Sequence, residues 1–320
     1  MTAVEPPPGL LTFGETMGLV AASGVGTLEY ARGFTFGIGG AESNVAIGAA
    51  RLGAPVTWIG RVGQDATGDL IVRRLQAERV HAIAIRDQSF TGLMVRHRRA
   101  GAVLQVDYHR AGSAASRLTP ADVPDALVRG AAILHVTGIT PALSPSARQT
   151  VRHAVDVAKA AGVTVSVDIN YRSKLWDRDT AGPVLRDLAA RADILFAGID
   201  EARLVLGSRT TDTAELAQRL AALGPREAIV KAGEQGCTAV IDTNTLEQPA
   251  VPVTVLDPVG AGDAFVAGYL AEHLAGADAA TRLRTAAATG AYAVTVPGDC
   301  ELLPTRAELR AAALTEDVLR

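Results

Sequence analysis

The sequence is poor in cysteine, with only Cys237 and Cys300 in 320 residues. The two are far apart and lack the spacing of a metal site, so we expect neither a disulfide framework nor a cysteine-bound metal. This usage predicts a reducing, cytoplasmic setting. Long basic runs are also missing and the formal net charge is −3, which argues against nucleic acid as the main partner.

Long hydrophobic runs are absent as well. No apolar stretch approaches the about 18 residues that a membrane-spanning helix needs, so we expect no membrane partner. Residues 1–9 contain three prolines and no basic residue, and we interpret them as a loose tail and not as a signal peptide. No Gly-x4-Gly-Lys-Ser/Thr occurs, and no Gly-x-Gly-x-x-Gly follows a first strand. The first absence excludes a P-loop site, and the second leaves a nicotinamide-dependent dehydrogenase without support.

What the sequence does contain is a regular alternation of short apolar runs with longer amphipathic segments. Hydrophobic residues make up 48% of the chain, enough for a sizeable core. The predicted strands are 10–13, 56–59, 133–136, 164–168, 194–196, 228–231 and 239–241. The predicted helices are 43–52, 68–76, 146–161, 181–190, 201–206, 213–223, 263–274, 281–296 and 306–313. This order predicts an α/β fold whose mostly parallel sheet is covered on both faces and binds ligands at the carboxyl ends of its strands.

Two stretches interrupt the alternation, residues 17–36 and 89–108. Their apolar residues recur at every second position, which is typical of extra β-strands. We interpret them as a small sheet that acts as a water-excluding lid; ordinary edge strands are the alternative. Because no repeat or low-complexity linker divides the chain, we expect one domain over 1–320, with lid strands within about 17–38 and 89–110.

One glycine-rich turn stands immediately before an acid. Gly260, Ala261 and Gly262 precede Asp263, which opens an apolar stretch with helical spacing. Free backbone amides and the helix dipole at such a turn bind a phosphate-like anion, while the adjacent carboxylate can take a proton from an attacking hydroxyl. The pattern therefore favours phosphoryl transfer. The alternative is an ordinary glycine turn with an aspartate that the helix dipole stabilises.

A second glycine motif, residues 37–44, precedes a helix of small residues. Gly40 lies in the turn, and Asn44 can donate to and accept from sugar hydroxyls. An asparagine at this position can equally be a helix cap.

Together, Gly-Gly-Ala-Glu-x-Asn and Asp-Pro-x-Gly-Ala-Gly-Asp resemble the motifs of the PfkB (ribokinase-like) sugar kinases. The resemblance covers nearly the whole chain and implies a ribokinase-like three-layer sandwich with a β-sheet lid. It implies ATP-dependent phosphorylation of a sugar-like alcohol, with Asp263 as the base and the backbone of Gly260, Ala261 and Gly262 as the anion hole.

The same resemblance assigns nucleotide and metal positions. Lys231, Gly233 and Gly236 look like the strand and turn beside ATP, although Lys231 can also be a strand-end cap. Glu201 resembles the acid that organises Mg²⁺ through water, but Gly198 stands where the family has asparagine. A solvated surface glutamate is the alternative for Glu201. Mg²⁺ is expected because the phosphates need charge neutralisation.

Two arginines at strand ends predict the substrate. Arg110 follows a lid strand and Arg172 follows a central strand, and paired guanidinium groups suit a carboxylate. Their segments resemble 2-keto-3-deoxygluconate kinases, which implies that Tyr108 and Asp299 also contact the sugar acid. The alternatives are an ion pair of Arg172 with Asp168 or Asp177, and an exposed lid arginine at Arg110.

Departures from that branch leave other functions open. Met94 and His109 stand where the branch has tyrosines, which can change the preferred acid. The sequence predicts phosphorylation of the primary hydroxyl of 2-keto-3-deoxygluconate; the alternatives are a fructokinase or another PfkB sugar kinase, and a catalytically silent sugar- or nucleotide-binding relative. Apolar lid strands can pair across a two-fold axis, so a homodimer through the lid is also expected.

Overall fold

The computed structural model describes residues 8–99 and 104–318, with side chains as far as residue 312. The strands are β1 (Leu10–Phe13), β2 (Met17–Val25), β3 (Phe34–Gly39), β4 (Val56–Gly63), β5 (His81–Asp87), β6 (Leu93–Arg98), β7 (Leu104–His109), β8 (Ile133–Thr137), β9 (Thr164–Asp168), β10 (Ile194–Gly198), β11 (Glu227–Lys231), β12 (Cys237–Ile241) and β13 (Asn244–Gln248). The helices are α1 (Ala41–Arg51), α2 (Ala66–Ala77), α3 (Asp125–Gly130), α4 (Thr140–Leu143), α5 (Pro145–Ala161), α6 (Arg178–Arg191), α7 (Ile199–Leu206), α8 (Thr213–Ala221), α9 (Ala261–Leu274), α10 (Ala279–Ala293) and α11 (Arg306–Val318).

A nine-stranded sheet forms the middle layer, in the order β13-β12-β11-β10-β9-β8-β1-β4-β5. The strands from β11 to β5 are parallel, whereas β12 and β13 pair antiparallel at one edge. Central strands such as β8 are buried along their whole length, as expected when helices cover both faces of a parallel sheet. The predicted mostly parallel α/β fold is confirmed.

Two hydrophobic clusters fill the space on either side of this sheet. Helices α5, α6, α7 and α8 contribute to one cluster, and α1, α2, α9 and α10 contribute to the other. The helix ends follow their capping residues. For example, the Ser144 hydroxyl accepts a hydrogen bond from Ala147 N at 3.1 Å at the start of α5, and Gly162 ends that helix with φ +73°.

A separate four-stranded sheet has the order β3-β2-β6-β7; we call it the lid sheet. Its inner face carries a small apolar cluster of Met17, Leu19 and Met94. Its outer face carries Phe34 and Phe36, which are 48% and 51% exposed. The two stretches that the alternating pattern predicts to be extra strands therefore form this sheet, and they do not extend the edge of the main sheet.

The seven predicted central strands and the nine predicted helices are all present, with ends shifted by a few residues. Strands β5 and β13 and the short helices α3 and α4 were not predicted from the apolar pattern. In the part of the chain that is described, none of the helices has the length and apolar character required to span a membrane.

Candidate active site

A cleft of about 1230 Å³ opens between the lid sheet and the carboxyl ends of the parallel strands. This is the edge at which ligands bind in open α/β sheets. Its lining brings together most of the residues predicted from the sequence: Gly40, Asn44, Tyr108, Arg110, Arg172, Glu201, Lys231, Gly260, Gly262, Asp263 and Asp299.

The glycine turn has the shape that the motif predicts. Gly260 caps α9 with φ +79°, a conformation that side chains other than glycine rarely adopt. A Cβ atom at this position would also lie 2.4 Å from the carbonyl oxygen of Asp299. Helix α9 begins at Ala261, so the unpaired amides of its first turn face the cleft, where they can bind an anion.

Asp263 lies in the first turn of α9 and is only 7% exposed. Its Oδ2 accepts a hydrogen bond from Asn44 Nδ2 at 2.8 Å, and its Oδ1 accepts one from Asn170 Nδ2 at 3.2 Å. Burial raises the pKa of Asp263, while the positive charge of Arg172, the Asn44 hydrogen bond and the charge of Lys231 act in the opposite direction. A fixed carboxylate with a raised pKa is suited to accept a proton.

Asn170 is a site residue whose role the sequence pattern does not show. It follows β9 and has φ +38°, a region that residues other than glycine seldom occupy. This backbone conformation aims the Asn170 amide at Asp263. Backbone strain of this kind is typical of functional sites.

Lys231 makes an ion pair and is therefore more than a strand-end cap. Its Nζ donates to both carboxylate oxygens of Asp168 at 2.9 Å. Burial alone would lower the pKa of Lys231, but the Asp168 carboxylate raises it above its ordinary value. The ammonium lies 3.5 Å from the position of a Cβ at Gly262, which places a permanent positive charge beside the glycine turn.

Glu201 is half-buried at the start of α7, so it is not the solvated surface glutamate of the alternative interpretation. Gly198 N donates to its Oε2 at 2.7 Å, and Tyr171 N donates to its Oε1 at 2.9 Å. Each oxygen keeps a second lone pair that can accept from water. Among the described residues, no three acidic, histidine or cysteine side chains converge as a metal site. The donor set therefore fits Mg²⁺ held through water and phosphate, and not by a protein cage.

Gly233 and Gly236 lie in the turn between β11 and β12, beyond the residues that line the cleft. Both have positive φ, +58° and +89°, and the turn connects the antiparallel pair of strands. The structure thus places these two glycines outside the lining, although it keeps them at the same edge of the sheet. Ala261 is not itself among the lining residues, but both of its neighbours, Gly260 and Gly262, are.

Arg110 is not an exposed lid arginine, since its side chain is only 11% exposed and forms an ion pair with buried Glu15. Its Nε is buried without a hydrogen-bond partner among the described residues. The guanidinium carbon lies 5.4 Å from the centre of the Tyr108 ring, and Lys174 Nζ lies 5.6 Å from the same centre. Tyr108 therefore contacts two cations at the mouth of the cleft.

Arg172 is exposed in the loop after β9. Neither acid considered as its partner is available, because Asp168 binds Lys231 and Asp177 accepts from Thr180 N at 2.8 Å to cap α6. In residues 8–99 and 104–312, whose side chains the structure describes, no carboxylate forms an ion pair with Arg172. Its charge nevertheless acts on Asp263, so it projects toward the cleft.

Asp299 lies at the junction of the cleft and the lid sheet. Arg96 Nη1 donates to its Oδ1 at 2.5 Å. Burial raises the pKa of Asp299 to about 7, although the charge of Arg96 works against this shift. Arg96 is a second residue that the sequence analysis missed, since nothing in the lid pattern distinguishes it from a surface arginine.

A carboxylate beside an amide-lined turn, in a cleft under a small sheet, defines a phosphotransferase that acts on an alcohol. The chain belongs to the pfkB family carbohydrate kinases, whose model matches residues 8–306. The resemblance carried by the two glycine motifs is confirmed.

Similar proteins support this assignment. The 2-dehydro-3-deoxygluconokinase of Bacillus subtilis (strain 168) is 38% identical over 306 residues, which cover 93% of each chain. The 2-dehydro-3-deoxygalactonokinase of Haloferax volcanii is 34% identical and covers 91% of this chain and 92% of its own. A putative ribokinase II from E. coli in complex with ATP and Mg²⁺ superposes with a TM-score of 0.88 at 26% identity, covering 96% of this chain and 99% of that chain.

Proposed function

We propose that the protein is an ATP- and Mg²⁺-dependent kinase that phosphorylates the primary hydroxyl of a sugar acid, with 2-keto-3-deoxygluconate as the first candidate. The observation that carries the proposal is the common cleft, whose walls include both Asp263 with its glycine turn and the cations Arg110 and Arg172. A neutral hexose has no charged group that requires the two arginines, Arg110 and Arg172. The Bacillus subtilis and Haloferax volcanii relatives are named for kinases of such keto-deoxy acids.

The sugar acid is placed by matching its groups to unpaired polar atoms. Its carboxylate lies between Arg172, which has no ion-pair partner among the described residues, and the free Nε of Arg110. Asn44 Oδ1 is buried and unpartnered within the described chain, so it accepts from a sugar hydroxyl. Gly40, Tyr108 and Asp299 complete the contacts.

ATP is placed at the other wall of the cleft. The amides of Gly260, Ala261 and Gly262 hold its terminal phosphate, with Lys231 beside them. Gly233 and Gly236 lie along the turn where the rest of the nucleotide extends. Glu201 would hold Mg²⁺ through water, and the ion would neutralise the charge of the phosphates.

In the reaction, Asp263 accepts the proton of the primary hydroxyl as that oxygen bonds to the γ-phosphorus. The bond between the γ-phosphorus and the β,γ-bridging oxygen breaks, and ADP departs with the electron pair. The amides of the glycine turn stabilise charge on the transferring group. Most of the acceleration is expected from positioning, which can remove about 7–11 kcal/mol of barrier.

The test is a substrate panel in which ADP release and sugar phosphate are both measured with ATP and Mg²⁺. We expect 2-keto-3-deoxygluconate and its galactonate-derived epimer to be phosphorylated in preference to fructose and ribose. Preferred phosphorylation of fructose would favour a fructokinase. No transfer to any sugar, with ATP still bound, would favour a silent relative.

Arg172→Met tests the acid contact in the same assay. Because charge-assisted hydrogen bonds contribute about 1.5–3 kcal/mol, KM for the acid should rise roughly 10- to 100-fold, with little change for a neutral sugar. Arg178→Met removes an exposed arginine at the start of α6 and is the matched control. Equal effects on acid and neutral substrates would contradict the assignment.

The remaining expectations belong to the same proposal. We treat residues 1–320 as one kinase domain, and we place the protein in the cytoplasm because the reaction consumes ATP. The exposed apolar outer face of the lid sheet supports a homodimer in which two lid sheets pack together.

A further inference from the structure

Two arginines of β6 and two aspartates meet where the lid sheet reaches the glycine turn. Arg96 is only 7% exposed; its Nη1 donates to Asp299 Oδ1 at 2.5 Å and its Nη2 lies 3.7 Å from Asp257 Oδ2. Arg98 Nη2 lies 3.1 Å from the other oxygen of Asp257. Arg96 thus contacts two buried carboxylates from different parts of the chain.

Both aspartates contact the glycine turn, Asp257 through its carboxylate and Asp299 through its main chain. Asp257 Oδ1 accepts from Val259 N at 3.2 Å, immediately before Gly260. Asp299 packs on Gly260 through its main chain, since a Cβ at Gly260 would lie 2.4 Å from Asp299 O. A displacement of either aspartate would therefore move the backbone amides that face the phosphate.

The cluster of Arg96, Asp257 and Asp299 also contacts two strands of the lid sheet. Arg96 belongs to β6 and lines the cleft from the inner face. Asp299 Oδ2 lies against β3, where a Cβ at Gly39 would approach it to 2.5 Å. Contacts therefore run without interruption from β3 and β6, through Asp299 and Asp257, to the start of α9.

We propose that Arg96 is a positioning residue that couples the lid sheet to the glycine turn, so that sugar binding under the lid and the shape of the phosphate site depend on each other. The planar guanidinium spans two carboxylates in fixed directions, which a lysine ammonium does not. Transfer is then favoured only when lid and turn are both in place, which protects ATP from hydrolysis by water. The inference rests on the phosphoryl transfer proposed above.

A purely stabilising ion pair is the competing explanation. Removing one partner of any buried ion pair leaves an uncompensated charge and destabilises the fold. A lower melting temperature therefore does not distinguish the two explanations. Only a change in the coupling between lid and turn does so.

The experiment compares Arg96→Met, Arg96→Lys and Asp257→Asn with Arg282→Met. Arg282 lies on helix α10, away from the cleft, and is similarly buried at 9% exposed. It forms an ion pair with Glu227, at the start of β11, at 2.7 Å. For each variant, KM and kcat are measured with the best acceptor of the panel, together with the ratio of ADP formed to sugar phosphate formed. A misplacement of about 1 Å in the reacting groups can cost roughly 100-fold in rate.

We expect Arg96→Met to raise KM for the sugar and to raise the ratio of ADP formed to sugar phosphate formed above that of the wild type. Asp257→Asn should shift both in the same direction, and Arg96→Lys should be intermediate. Arg282→Met should lower stability while leaving KM and the ratio unchanged. If Arg96→Met loses stability as Arg282→Met does, and its KM and ratio stay at the wild-type values, the inference is wrong.

Amide hydrogen exchange tests the coupling without turnover. In the wild type, a non-hydrolysable ATP analogue with Mg²⁺ should slow exchange in residues 256–263 and also in β6. In Arg96→Met, or in Arg96→Lys if the methionine variant does not fold, protection should remain confined to residues 256–263. Protection of β6 that is equal in variant and wild type, or absent in both, would overturn the inference, whereas the panel alone decides the proposed function.

Discussion

At the scale of single residues, the chemistry of the site depends on where Asp263 is held. Its carboxylate is buried, and two asparagine amides from α1 and the loop after β9 donate to it. Both amides are neutral, so they fix the orientation of the carboxylate without placing a positive charge beside it. Burial raises its pKa, so the group is a stronger base than an exposed aspartate.

Asp263→Asn keeps the shape of this side chain and removes its ability to accept a proton. Loss of one general base costs about 10²- to 10⁴-fold, so we expect kcat to fall by that factor while ATP and sugar affinities change little. Turnover and calorimetric binding measure the two effects separately. Asp179→Asn, in the exposed first turn of α6, is the control, and wild-type turnover of Asp263→Asn would discard the assignment.

A second residue prediction concerns Glu42, which is fully buried in the first turn of α1. Thr137 and Thr140 hydroxyls donate to its Oε1 at 2.7 and 2.6 Å. Burial raises its pKa from 4.5 to about 7. The folded state therefore retains a proton that the unfolded state has lost, and stability falls as pH rises through this window.

Glu42→Gln removes that titration. Relative to the wild type, the variant should gain stability between pH 4.5 and pH 7, by up to roughly 3 kcal/mol because one pKa unit corresponds to about 1.4 kcal/mol. Denaturant unfolding at pH 5 and pH 8 measures the difference. Glu247→Gln, on the exposed face of β13, is the control, and its difference from the wild type in unfolding free energy should be the same at both pH values. The prediction is wrong if the corresponding difference for Glu42→Gln does not change with pH.

The residue scale also shows what spacing along the chain can predict. Asp263 and its glycines are neighbours in sequence, so the turn and the acid were predicted together. The Lys231–Asp168 pair joins β11 to β9, with β10 between them, and its members are 63 residues apart. No local pattern shows such a contact, and the same is true of Arg96 and Asp299, which are 203 residues apart.

At the scale of elements, the lid sheet is fastened to the main domain by more than its chain connections. Lys174, in the loop after β9, donates from Nζ to the carbonyl oxygen of Val106 in β7 at 2.6 Å. It also lies near the Tyr108 ring. This contact holds β7 over the side of the cleft that carries Arg110 and Arg172, where we propose that the substrate carboxylate binds.

Lys174→Met should therefore weaken closure over the substrate more than it weakens the fold. An exposed hydrogen bond contributes about 1 kcal/mol, so KM for the sugar acid should rise about fivefold, with kcat and melting temperature nearly unchanged. Steady-state kinetics measures this directly. Lys159→Met breaks an exposed ion pair with Asp193 at the opposite edge of the main sheet from the cleft, and it should leave KM unchanged. Identical KM values for the two variants would refute the role of the Lys174 contact.

Elements were predictable where burial imposes a simple pattern. Strands in the middle of the sheet are buried on both faces and appear as apolar runs, and long helices show the helical period. The edge strands β5 and β13 alternate less clearly, because solvent reaches part of each, and α3 and α4 are too short to show a period. The order of the strands in the sheet depends on contacts between distant segments, which no window of sequence contains.

At the scale of the whole molecule, the lid sheet has two faces with different surroundings. Strand alternation turns Met94, Arg96, Val106 and Tyr108 toward the cleft. The same alternation turns Phe34 and Phe36 outward, and Tyr30 nearby is 84% exposed. The end of this outer face next to the main domain is covered, since Ile38 is buried and Gly18 lies against Thr67 of α2. Its far end, with Phe34 and Phe36, stays about half exposed, and an exposed apolar surface usually marks an interaction site.

In the homodimer that we propose, a second copy of the chain packs against this face. Sedimentation velocity at micromolar concentration should therefore show a dimer, in which the half-exposed rings of Phe34 and Phe36 are buried against the second copy. Phe34→Asp should shift the protein toward monomer, because it would place an unpaired charge inside the interface. Phe90→Asp changes a phenylalanine of equal exposure, 48%, at the opposite end of the lid, and should leave the dimer intact. A wild-type monomer, or equal dissociation of both variants, would show that this face does not join two copies, and the outer side of the lid would then need another partner.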